Sequence, residues 1–351
     1  MQDHETPSDS ISWSGYPLQV VSDMPVETTM VLPAESDLLQ VTLAPFIKSD
    51  ELIAGNESLL SNVFSSVQSS VTTGLKWTVA KSYEGASKAL KNASGAIITT
   101  LGTRRMAITM IASRAKKNEL KGEIKFTKEF LSKCSVSGSI ENLQEDAELL
   151  FSTLDVVKKF EMDLESFYKK ELQLLKDITG IKTTEDAISL LHKLDGLEYP
   201  SPKFNEQRDS MSTSEVLPGG KYFVFNSEQK QFSVSSDEVS VKENDTSFAT
   251  EDVVKLLTTI NQGVEFFKAF SNANEKYAKY IIDFNTVVGK SYLHLESLKG
   301  NISFNLIRDL ESRLKGNVPV FAFYSGFLPK VTLYLDDYVG GVTSFLSKQF
   351  N

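Results

Sequence analysis

The chain has 351 residues, a formal net charge of −9, 41% hydrophobic and 24% charged residues, and is therefore long enough to bury a substantial core. Its one cysteine, Cys134, excludes an internal disulfide and with it a cross-linked secreted scaffold, so the reducing interior of a cell, or of a particle assembled in one, fits better. Residues 1–14 carry acids and hydroxyls where an export signal needs a basic start and an apolar run, and no stretch approaches the ~20 apolar residues that span a bilayer.

The net charge hides an uneven distribution. Residues 1–57 hold ten acids against Lys48 alone, a net −9, whereas residues 76–128 hold twelve bases against Glu84, Glu119 and Glu123, a net +9. Residues 58–75 are uncharged, and residues 129–351 return to −9. The chain is an acidic arm, a basic segment and a mildly acidic body.

In chain order, residues 1–50 mix Pro7, Pro17, Pro25, Pro33 and Pro45 with acids, serines and short apolar patches, a composition that supports neither a long helix nor a core. From about 56 to 118, Leu59, Val63, Val67, Val71, Leu75, Val79, Tyr83, Ala86 and Leu90 recur at helical spacing. Gly74, Gly85, Gly95 and Gly102 each weaken a helix by roughly 1 kcal/mol relative to alanine. One or two broken helices with small-residue faces are expected there.

Residues 139–179 predict a long amphipathic helix through Leu143, Leu150, Leu154, Val157, Phe160, Leu164, Phe167, Leu172 and Leu175, stopped by Gly180. Thr183 or Thr184 then caps a shorter helix over 185–194. Residues 199–214 read as a polar linker, and Leu217-Pro218-Gly219-Gly220 leads into a β-hairpin over 221–234. An isolated hairpin is marginal in water, so it is expected to pack on helices. A second long helix runs from Thr250 to about Leu295, and two more follow near 303–314 and 330–347, separated by the aromatic stretch 318–328. The expected fold is mainly α, an elongated helical bundle with a small β-hairpin insert. Its expected division is an arm at 1–51, a helical region at 52–198, a linker and hairpin at 199–249, and a helical region at 250–351 packing with 139–195.

Recognisable chemistry is sparse. His4, His192 and His294 lack a second ligand at helical spacing, paired-cysteine and HExxH patterns are absent, and no metal or cofactor is expected. Cys134 carries no activation signal and reads as a packing residue. Gly219-Gly220 reads as a turn of positive φ rather than a phosphate cradle, and Asp336-Asp337 as a solvated helix end. No catalytic residue is assigned.

The basic segment is the best functional candidate. Lys76, Lys81, Lys88, Lys91, Arg104, Arg105, Arg114, Lys116, Lys117 and Lys121 form a strip able to neutralise phosphates. With Ile97, Ile98, Leu101, Met106, Ile108, Met110 and Ile111 beside them, the same residues could lie on an anionic membrane, or simply form the solvated face of a core helix. Opposite charge in one chain also suggests that the arm shields the basic surface, through direct contact because the Debye length at physiological salt is about 8 Å.

Two places in the arm resemble sites cut after glutamate by phage prohead proteases: Leu32-Pro33-Ala34-Glu35 and Ser49-Asp50-Glu51. Ser139-Ile140-Glu141 and Ser236-Asp237-Glu238 fit the second pattern equally well. The overall plan, an acidic leader, a helical body and Leu217-Pro218-Gly219-Gly220 opening an aromatic hairpin, is similar to the phiKZ-like phage internal head proteins. That resemblance implies a non-enzymatic protein of the virion interior, in contact with capsid components or packaged DNA, processed by a prohead protease after Glu35 or Glu51 and delivered into the host cytoplasm. The alternatives are an ejected protein that acts on a membrane or binds a host factor, and an enzyme with an unrecognised site.

Overall fold

The computed structural model describes residues 80–117, 124, 126–241, 249–315 and 317–349; the arm with Glu35 and Glu51, together with Lys76 and Lys121, lies outside them. Its elements are α1 (Ala80–Lys116), α2 (Lys128–Cys134), α3 (Leu143–Lys176), α4 (Thr184–Asp195), β1 (Glu206–Arg208), β2 (Met211–Thr213), β3 (Lys221–Asn226), β4 (Gln231–Ser236), α5 (Thr250–Gly263), α6 (Glu265–Ser297), α7 (Phe304–Arg313), α8 (Val318–Ala322) and α9 (Leu328–Ser347). The protein is mainly α with a small antiparallel sheet, as its periodicities predict.

The α1 helix is one piece of 37 residues, not the broken helices expected from its glycines. An added Cβ at Gly95 or Gly102 would meet nothing within 4 Å, so these positions serve no close approach and simply weaken the helix. Burial offsets that weakness: Ala86, Ala89, Leu90, Ala93, Ala96, Ile97, Leu101, Ile108 and Ile111 all point into the core, and packing of this kind, more than propensity, holds helices in proteins. The alanines let α6 lie close along α1, making α1 rather than α3 its most extensive partner. The approach is near enough for Ser94 Oγ to donate to the Ser271 carbonyl and Ser271 Oγ to the Ser94 carbonyl, both at 3.1 Å.

On the other side of α6 lies α3, whose predicted apolar stripe is buried from Leu143 to Leu175. Thr183 then caps α4 in a reciprocal box: its hydroxyl accepts from the Asp186 N–H at 3.2 Å while the Asp186 carboxylate accepts from the Thr183 N–H at 2.9 Å. The helix expected to run unbroken from Thr250 is interrupted at Val264, between α5 and α6. Gly263 stands just before the break, and a Cβ there would lie 2.0 Å from the Phe151 ring, which would have to move.

The polar stretch expected as a linker contributes two short strands, so the hairpin is the inner half of a four-stranded antiparallel meander ordered β1-β2-β3-β4. Asp209 and Ser210, both at positive φ, turn β1 into β2. Phe223 and Phe225 are buried, and Phe232 packs among Phe160, Phe323 and Phe327 in tilted and edge-on contacts at centroid distances of 4.6 to 5.4 Å. These contacts seat the sheet on α3 and on residues 323–327, a π-helical turn joining α8 to α9 where an aromatic spacer was expected. The Leu217-Pro218-Gly219-Gly220 turn docks on the end of α2: Gly219 N–H donates to the Ser135 carbonyl at 3.0 Å, and the Tyr334 hydroxyl donates to the Pro218 carbonyl at 2.7 Å. Gly220 has φ +68, and a Cβ there would stand 2.2 Å from the Asp237 carbonyl oxygen.

Across the core, Arg104 of α1 meets Asp336 of α9, Nε to Oδ1 2.6 Å, with the two side chains 3% and 0% exposed. Asp336 is therefore a core residue in mid-helix and not the solvated helix end expected from the sequence. Gly340, one turn on, makes room for the partner: a Cβ at this position would lie 2.6 Å from an Arg104 guanidinium nitrogen.

Two stability predictions follow from these contacts. Arg104→Ala leaves Asp336 buried without its partner and is expected to cost about 3–5 kcal/mol in urea unfolding, while the double variant Arg104→Met/Asp336→Leu recovers most of that loss. Gly220→Ala is expected to destabilise by roughly 1–3 kcal/mol through left-handed strain alone, with the carbonyl clash adding to it.

Candidate functional site

The basic residues proposed from sequence separate once α1 has an inside and an outside. Lys88, Lys91, Arg105, Lys116 and Lys117 are exposed, and Arg114 is half-buried. Arg104 is the correction: its guanidinium is committed to Asp336 in the core and faces neither phosphate nor membrane. Lys81 sits in the first turn of α1, with its side chain outside the described set. The apolar residues beside them also divide. Ile97, Leu101, Ile108 and Ile111 are core, whereas Ile98, Met106 and Met110 are 43%, 65% and 52% exposed.

The outer face of α1 consequently has a pattern. Lys88 and Lys91 mark one end and Lys116 and Lys117 the other, with Gly95, Ile98, Gly102, Met106 and Met110 between them. No acid occurs from residue 86 to residue 117. Acids reach its edges from α6 instead: Glu265 pairs with Arg105, and Glu275 Oε1 lies 3.1 Å from the Ser94 hydroxyl oxygen. Exposed basic residues thereby stand at the two ends of the face, about 42 Å apart from Lys88 to Lys116 at 1.5 Å per residue.

The chemistry-bearing residues elsewhere lie apart from this face. His192 is exposed on α4 beside Glu185, Ile188, Ser189 and Lys193, and His294 Nε2 sits 2.8 Å from the Ile181 carbonyl oxygen. Among the described residues no group of three or more His, Cys, Asp or Glu side chains is placed to hold a metal. Cys134 is buried, and desolvation pushes its thiol up to about 12, with Lys133 opposing only in part. It is a protonated packing group, its sulfur close against Gly341. Of the helices described, none is long and apolar enough to cross a membrane.

A polar cluster that sequence reasoning did not single out lies between α3 and the π-helical turn. Tyr324 Oη donates to Glu161 Oε1 at 2.8 Å, and the Tyr324 ring stacks on Tyr277 at 4.1 Å. Burial raises the Glu161 carboxyl above its ordinary value, only partly opposed by the Tyr324 hydrogen bond. One turn on, Glu165 is lowered, because Lys169 at 2.5 Å and Lys276 at 2.7 Å outweigh its partial desolvation. Such a divergent pair of carboxyls is a signature of acid–base sites, but Glu161 is 6% exposed and closed in by tyrosines. Its geometry is that of a buried structural link between α3 and the segment entering α9.

Comparison with known protein families, curated proteins and solved structures returns no match for this chain.

The Glu161 environment generates a pH prediction. Ionising a carboxyl whose folded-state value is raised costs the folded protein more than the unfolded one, so this group's contribution to stability falls as pH rises through the raised value. Glu161→Gln retains an acceptor for Tyr324 and removes that cost. It is expected to raise Tm at pH 7, with the advantage over the parent shrinking as pH falls towards the ordinary carboxyl value of 4.5.

Proposed function

We propose that this chain is a non-enzymatic protein of a phage virion interior, packaged in the capsid with the genome and engaging DNA through the outer face of α1. The observation that carries the reading is the acid-free run of residues 86–117 in a chain of net charge −9, with Lys88, Lys91, Lys116 and Lys117 exposed along α1 and the turn that ends it. Lysines at such positions release counterions from a polyanion and bind it without reading its sequence. The resemblance of the acidic leader to a maturation segment, with Glu35 and Glu51 as its cutting sites, supports the capsid setting. Delivery into the host cytoplasm with the genome belongs to the same reading.

A second reading has its own support. Ile98, Met106 and Met110 are large apolar side chains exposed between the basic ends, the mixture with which an interfacial helix face engages an anionic membrane.

The experiment measures binding of the full chain to duplex DNA at several salt concentrations, and to anionic vesicles in parallel. Charge reversal of Lys91, Lys116 and Lys117 is expected to flatten the dependence of log K on log salt by about 3, and equal binding by parent and variant would overturn the DNA reading. Loss of vesicle binding on replacing Ile98, Met106 and Met110 by serine, with no DNA binding by the parent, selects the membrane reading. For the capsid setting, mass spectrometry of the protein in purified virions is expected to show a first residue at Ser36 or Leu52; an intact Met1 there would remove that part.

A further inference from the structure

We infer that the outer face of α6, between Lys279 and Glu296, is the surface on which a second copy of this chain packs, its own α6 running antiparallel. The inference goes beyond the reading of α1 and uses none of the residues on which that reading rests.

Exposure and spacing define the face. Tyr277, Ile281, Phe284, Val287, Ser291 and Leu295 are buried and hold the inner side of α6. On the opposite side, Lys279, Ile282, Thr286, Gly289, Leu293 and Glu296 are all exposed. They follow one another at alternating intervals of three and four residues, the spacing of a seam along which one helix packs on another. Ile282 is 42% exposed, and Leu293, at 76%, is the most exposed large apolar side chain described.

The seam is complementary to itself. Antiparallel pairing about the midpoint between Thr286 and Gly289 sets Ile282 against Leu293 of the second copy, Thr286 against Gly289, and Lys279 against Glu296. Twofold symmetry makes each of these contacts occur twice. Beside the seam, Asp283 meets Lys290 in the same register. A parallel pairing would instead set Lys279 on Lys279 and Glu296 on Glu296. Glu296 also pairs with Lys299 of its own chain, and exposed ion pairs add little affinity, so the charges fix the orientation while Ile282 and Leu293 supply the apolar contact.

Gly289 fits the same contact. A Cβ there would meet nothing within 4 Å in the chain itself, whereas in the pair this residue stands at the centre of the seam, where the two backbones approach most closely. Other occupants fit less well. The two bases and two acids at Lys279, Lys290, Asp283 and Glu296 cancel, so the face has no net attraction for a polyanion or an anionic membrane.

Sedimentation of the full chain from ~1 to ~100 μM is expected to show a reversible monomer–dimer equilibrium. Leu293→Glu, at an exposed position, is expected to weaken dimerisation about tenfold or more. Gly289→Gln moves two readouts in opposite directions: Tm rises at concentrations where the chain is monomeric, because the helix loses a glycine, and dimerisation weakens. A variant that merely misfolds lowers Tm instead. Asp283→Lys alone is expected to weaken the dimer about threefold, and adding Lys290→Asp restores the parent value. A parent that stays monomeric throughout, or a dimer indifferent to Leu293→Glu and Gly289→Gln, would overturn the inference; a dimer weakened by both but not restored by the charge exchange overturns the antiparallel register. The α1 lysines are untouched in every variant, so the DNA titration stands or falls separately.

Discussion

The contact on which the arrangement depends is the ion pair between Arg104 and Asp336. Both charges are removed from water, a desolvation that their attraction repays only when geometry is good, and the glycine at 340 supplies the necessary space. What the pair contributes is less stability than orientation. A helix carrying apolar residues on two sides could present either to the core, but with Arg104 held inward, Ile97, Leu101, Ile108 and Ile111 must follow it in. Ile98, Met106, Met110 and the terminal lysines are then left outside. Arg104 shares the inward face of α1 with those residues, so the ion pair and the apolar packing favour the same rotational setting of the helix.

The sheet is attached by a different device. Its inner aromatics are shared with α3 and with the π-helical turn at residues 323–327, where the wider backbone path places Phe323, Tyr324 and Phe327 all among buried residues. Phe323 and Phe327 meet Phe232 of β4, while Tyr324 turns towards Glu161 and Tyr277. The turn thus ties the sheet, α3 and α6 to the start of α9. On the other side, the Pro218–Gly220 turn closes against α2 and Tyr334, so the small sheet is clamped at both the sequence entering β3 and the face formed by β3 and β4.

Elements with long, strong periods were legible from residues alone. The apolar stripe of α3 and the threonine cap of α4 lie where their spacing predicts. The short strands β1 and β2 were not, because Glu206, Gln207 and Arg208 bury little and are held by backbone pairing and a positive-φ turn at Asp209 and Ser210. Arg104 and Arg105 are neighbours of one residue type, and no local signal says which is core; the answer lies 232 residues away in Asp336. The same is true of Gly263, whose missing Cβ faces the ring of Phe151 on another helix. Local patterns carried the helices, whereas the identity of the outward face required knowledge of their partners.

The reciprocal serine bonds between α1 and α6 have a mechanical consequence. Ser94 and Ser271 tie the two helices at one level, Arg105 and Glu265 at a second, and Arg104 ties α1 to α9 beside it. A force along the axis of α1 loads these ties together, in shear, whereas a force lifting one end of the helix loads them one after another. The protein is therefore built to resist being drawn out lengthwise and to yield when peeled from an end, so the direction of pulling, more than its strength, sets how readily this helix leaves the core.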